Sequence, residues 1–83
     1  MKIKMFSLMD RVANQFGAPF ASVNSESAIR AIRSESENPA AGALHTHPHD
    51  FAVYAIGVFD NETGVFESLP QPLFLVNVPV TAE

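Results

Sequence analysis

Asp50-Phe51-Ala52-Val53-Tyr54-Ala55-Ile56-Gly57-Val58-Phe59-Asp60 is the stretch that decides the fold. Nine uncharged residues stand between two carboxylates, and both alternating faces are apolar. Two apolar faces are the mark of a central strand of a sheet. Asp60-Asn61-Glu62-Thr63-Gly64 follows at once and predicts a hairpin turn. Asp or Asn opens such a turn, and Gly64 supplies the positive φ that its last position needs. The return strand is then Val65 to Leu69. Beyond it, Leu73 to Val80 is a β-rich tail. Pro72 and Pro79 confine it to a sheet edge or to pairing with another chain.

Working towards the N-terminus, Ser25 to Arg33 gives the clearest helix signal. Asn24 or Ser25 caps it, and Glu26 suits the positive end of the helix dipole. Ala28, Ile29 and Ile32 form its apolar stripe. Glu26 with Arg30, and Arg33 with Glu37, stand at the i, i+4 spacing of favourable ion pairs. Asn38-Pro39 ends it, because proline disfavours helical geometry in the residue before it. Pro39 to His49 reads as a loop of small residues and histidines. Lys2 to Met9 predicts a first strand, with Lys2, Lys4, Phe6 and Leu8 on one side and Ile3, Met5 and Met9 on the other. Asp10 to Pro19 is a loop with a helical turn at Arg11–Phe16, and Phe20 to Val23 is a short strand. The sum is an α+β fold: one domain over residues 1–83, a small, mainly antiparallel β-sheet with one helix packed on one face.

Charge is distributed unevenly. All five strongly basic residues, Lys2, Lys4, Arg11, Arg30 and Arg33, fall in the first 33 positions. Residues 1–34 carry a net +3 and residues 35–83 a net −7, giving −4 for the chain. Such a dipole lets a polyanion approach one half only. Cysteine is absent, so neither a disulfide nor a thiolate–metal staple supports the core. A domain this small gains roughly 3–5 kcal/mol from its core, and a second copy is the readiest source of further buried surface. A homodimer is therefore expected. The N-terminus lacks the apolar run of a signal peptide, and no segment is long enough to span a membrane.

Catalytic constellations are missing. No cysteine nucleophile, Gly-x-Ser-x-Gly elbow or glycine-rich phosphate loop occurs, which points to a non-enzymatic protein without a cofactor. His45-Thr46-His47-Pro48-His49-Asp50 would set three imidazoles on one side if extended. His45-Thr46-His47-Pro48 is similar to the zinc motif of deubiquitinase-type metalloproteases. That motif requires a downstream Asp where this chain has Val58, so a solvated loop without metal is the reading. Lys2 and Lys4 share a strand face with Phe6, the mix of cation and aromatic that suits single-stranded nucleic acid. Arg30 and Arg33 share a helix face.

The order of motifs carries more than any one of them. Met1 to Ser7, Asp10 to Ala13, Pro19-Phe20, Ser27 to Ala31, His47 to Phe51, Ile56 to Asp60 and Thr63-Gly64 together resemble the small nonstructural, DNA-binding protein of gokushoviruses. These are tailless single-stranded DNA phages of the Microviridae. The resemblance extends to about Pro70. It implies a protein made in the host bacterial cytoplasm that favours synthesis and packaging of single-stranded genomes. Lys2, Lys4, Arg11, Arg30 and Arg33 would then contact phosphate in weakly bound DNA, with Phe6, and Phe16 or Phe20, offering stacking surfaces. The alternative is an interaction module whose acidic half binds a replication or capsid protein and never touches DNA.

Overall fold

The computed structural model describes residues 1–79. In chain order its elements are β1 (Lys2–Asp10), β2 (Gln15–Phe16), β3 (Phe20–Ser22), α1 (Ser25–Ser36), the short α2 (Ala43–Thr46), β4 (Phe51–Asp60) and β5 (Phe66–Asn77). As its apolar faces require, β4 lies inside the sheet, between β1 and β5, and every pairing is antiparallel. Both β2 and β3 pair with β1 along its other edge. The β4–β5 connection is the predicted turn. Gly64 has φ +77°, its N–H donates to the Asp60 carbonyl at 2.8 Å, and the Asp60 N–H donates to the Val65 carbonyl at 2.9 Å.

One face of the sheet is covered. The side chain of Asn24 accepts from the Ser27 N–H at 2.8 Å and starts α1. Helix α1 runs one turn past Arg33 to Ser36, burying Ala28, Ile32 and Ser36. Ile32 joins Leu44, Phe51, Val53 and Val78 in the core, with Leu8, Phe20, Leu75 and Val76 packed against it. Even-numbered residues of β1 share that side, so Phe6 and Leu8 meet the helix layer. The fold is the expected small α+β domain.

Four local expectations are corrected. No helical turn forms at Arg11–Phe16; the chain folds straight back as β2. The Asp10 carboxylate accepts from the Val12 and Ala13 N–H groups at 3.0 and 3.1 Å, Asn14 takes φ +57°, and Met9 then pairs with Phe16. The segment 39–49 is wound rather than loose: turns of 3-10 helix at Pro39–Ala41 and Pro48–Asp50 flank α2. The return strand and the tail are one strand, β5. Gly57 pairs with Ser68 and Ala55 with Leu73, so residues 69–72, with Pro70 and Pro72, bulge opposite the single residue Ile56. A bulge absorbs the missing proline donors without ending the strand. Val80, the expected end of the tail, lies outside the described residues. Finally, neither Glu26–Arg30 nor Arg33–Glu37 closes within 4 Å; among the described residues, ion pairs involve only the Met1 ammonium and Lys2.

Candidate nucleic-acid interface

Of the six residues expected to bind nucleic acid, Lys2 and Lys4 share one hollow and Arg30 and Arg33 another. Lys2 and Lys4 line a shallow hollow with Met1, Ile3, Ala21, Ser22 and Val23. Lys2 is partly neutralised there by Glu67, at 3.3 Å. Arg11 follows the far end of β1, about 30 Å along the strand from Lys2 and about 23 Å from Lys4 at roughly 3.3 Å per residue. Its guanidinium donates to the carbonyls of His49 at 3.0 Å and Phe51 at 3.4 Å, and to the side chain of Asn77. Arg11 therefore clamps the start of β4 to the end of β5 while staying exposed. Arg30 and Arg33 line a second hollow on α1 with Glu26 and Ile29. Among the described residues neither has a carboxylate within 4 Å.

Phe6 is a correction. At 1% exposure it is a core residue, packed against Phe20 at a ring-centroid distance of 6.0 Å. Alternation correctly gave it the face of Lys4, but that face is the one the helix covers beyond Lys4. Phe6 therefore offers no ring to a base.

Among the described residues, no helix covers the opposite face of the sheet. Partners in a register share a face. Met9 with Phe16, Ser7 with Tyr54, and Tyr54 with Phe74 therefore lie on this uncovered side. Three rings form a row across the strands. Phe16 and Tyr54 are 5.2 Å apart at 85°, and Tyr54 and Phe74 are 5.7 Å apart at 77°. Phe16 is 44% exposed and Phe74 47% exposed. Beneath the row, Ser7 is buried and donates its hydroxyl to the Gly17 carbonyl at 2.9 Å. The Met9–Ala52–Asn77 ladder step lies next to the row, so the Arg11–Asn77 contact brings one cation to its margin. Sequence reading proposed Phe16 and missed Tyr54 and Phe74. The signal was the parity of the β4–β5 hairpin, which is hidden because the bulge at 69–72 shifts it.

His45, His47 and His49 are not set on one side. His45 lies in α2 with Nδ1 3.0 Å from the Ser36 carbonyl, and His47 Nδ1 is 2.9 Å from the Thr46 hydroxyl. Among the described residues, no three His, Asp or Glu side chains converge on a metal-sized site. Also among them, no helix is long and apolar enough to cross a membrane. The carboxyl of Asp60 is held below the usual carboxylate range, first by the Glu62 N–H that it accepts and then by the Thr63 N–H, the Met1 ammonium and Lys2.

Compared with known proteins, the chain matches the family described as Phage ORF5 protein over residues 3–80 and belongs to that family. No curated protein and no solved structure matches it.

Proposed function

We propose that this member of the phage ORF5 protein family is a non-enzymatic accessory protein that binds single-stranded DNA on the uncovered face of its sheet. The supporting observation is the Phe16–Tyr54–Phe74 row, two exposed rings on either side of a half-buried one on one face of the sheet. Every base presents a π-face, so such a row accepts a strand without reading its sequence. Arg11 at the margin is the cation best set to meet a phosphate. Lys2, Lys4, Arg30 and Arg33 act through the field they add and not as a continuous track. Binding is correspondingly weak. The motif order supports the finer reading of a gokushovirus nonstructural protein that acts in genome replication or packaging in the host bacterial cytoplasm.

Anisotropy of a labelled thymidine oligonucleotide at low and physiological salt tests this. Phe74→Ala should keep the fold and weaken binding by about 1–3 kcal/mol, the usual loss for one stacked base. Absence of binding at low salt would overturn the DNA reading. It would favour the interaction module, for which the dispersal of the cations and the Lys2–Glu67 pair speak. A purified replication or capsid protein from the same phage would then be the ligand bound.

A further inference from the structure

The uncovered face carries another exposed ring beyond the Phe16–Tyr54–Phe74 row, and register places it. Across β1 and β4, Ile3 pairs with Phe59, Met5 with Gly57 and Ser7 with Tyr54. Across β4 and β5, Phe59 pairs with Phe66. Ile3, Met5 and Ser7 point the same way along β1, so Phe59, Gly57 and Phe66 share the face of Tyr54. Gly57 has no side chain, and the Phe66 ring fills the space above it: a Cβ built there would stand 2.8 Å from that ring. The ring thus lies across the backbone of β4, and Phe66 is 41% exposed. Met5, opposite Gly57, is two residues along β1 from Ser7, opposite Tyr54. The ring therefore stands about 7 Å from the row at roughly 3.3 Å per residue. That is about twice the 3.4 Å rise per nucleotide of a duplex strand, so one or two nucleotides span it.

Charge leaves the same path open. The acidic residues within the strands are Asp10, Asp60 and Glu67. Asp10 pairs with the core residue Phe51, Asp60 with Lys2, and Glu67 with Val58, which itself pairs with Lys4. All three therefore take the helix side of the sheet. A polyanion lying along the uncovered face of β4 meets no carboxylate from these strands.

We infer that Phe66 is a second base-stacking subsite, and that single-stranded DNA runs along β4 from the Phe16–Tyr54–Phe74 row to Phe66. The inference rests on the DNA reading and extends it from one row of rings to a path with a direction on the sheet. Stacking on each ring is independent of base identity, so the path accepts any sequence.

The chain has one tyrosine and no tryptophan, so Phe66→Trp installs a single fluorophore that can be excited alone and keeps a ring over Gly57. Titrated with a thymidine oligonucleotide at low salt, its emission should be quenched along the same curve as the anisotropy. Phe66→Leu keeps an apolar cover over Gly57, so its circular dichroism should match that of the unsubstituted chain. Its affinity should fall about fivefold or more, the loss for one stacked base. Val65→Ala, at the exposed neighbouring position, should bind like the unsubstituted chain. Suppose binding is weakened by Phe74→Ala, while Phe66→Trp emission stays unmoved and Phe66→Leu keeps full affinity. That result would overturn the second subsite and leave the DNA reading standing. No binding by the unsubstituted chain at low salt would sink both. Tryptophan emission already blue-shifted without DNA, in a chain that scatters at twice 9.0 kDa, would also refute the subsite and give this face to a second copy.

Discussion

Gly57 shows how a single position ties two strands. A Cβ built there would stand 2.5 Å from the Glu67 carbonyl oxygen and 2.8 Å from the Phe66 ring. The ring lies over the bare backbone, and the carbonyl cannot move without breaking the β4–β5 ladder. Gly57→Ala should therefore destabilise by about 1–3 kcal/mol, the usual cost of overpacking, read as a lower urea midpoint. Asp60 makes a different argument at the other end of the same strand. Its folded pKa is depressed by the Glu62 N–H, so the stability it contributes is present above the unfolded value, near 3.9, and is lost as pH falls through the folded one. Asp60→Asn should narrow the difference in melting temperature between pH 6 and pH 3. An unchanged difference would assign the acid sensitivity to other carboxylates. Phe6, expected among the binding residues, belongs to stability instead. Phe6→Ala should cost about 3–5 kcal/mol, as for other buried phenylalanines, so any loss of DNA binding in that variant would report unfolding.

Among the elements, those set by their own residues were legible in the sequence, and those set by register were not. The apolar run of β4, the Gly64 turn and the Asn24 cap each act locally, so pattern and chemistry agreed with the structure. β2 escaped notice because two residues hold no period; what makes it is the Asp10 side chain closing the preceding turn. The continuity of β5 was hidden by Pro70 and Pro72, which read as a break but sit in a bulge. The candidate site suffered most. Alternation along β1 gives the face of Phe6 but not which face α1 covers, and the rings of Tyr54 and Phe74 meet only through the shifted hairpin. Helix α1 itself yields a clean test. Among the described residues neither Arg30 nor Arg33 has a carboxylate within 4 Å, so reversing both to Glu removes no ion pair, and the like charges it sets at i, i+4 to Glu26 and Glu37 should cost about 0.4–1 kcal/mol. Asn24→Ala, by contrast, removes the acceptor for the Ser27 N–H and should cost about 1 kcal/mol. If the double reversal abolished DNA binding in a folded protein, the strand would run over the helix and not over the aromatic row.

For the whole molecule, the cations of the N-terminal half are carried by both ends of β1 and by α1. Lys2 and Lys4 mark one end of β1, Arg11 the other, and Arg30 and Arg33 the helix layer, while the aromatic row faces away from that layer. A polyanion on the uncovered face therefore meets rings first and few cations. This separation has a measurable consequence in salt. For single strands the logarithm of the binding constant falls with the logarithm of salt concentration by about 0.7 per phosphate neutralised. With Arg11 as the contacting cation, one phosphate is neutralised and the slope should lie near about −0.7. Four or five contacts on a continuous basic track would give a slope near −3 by the same relation. Stacking is far less sensitive to salt, so measurable affinity should persist at physiological ionic strength. The anisotropy titration repeated across a salt series separates the two arrangements. A slope near −3 that flattens in the Arg30→Glu, Arg33→Glu protein would move the binding surface to the helix side of the sheet. A shallow slope that is lost together with affinity in Phe74→Ala would keep it on the rings.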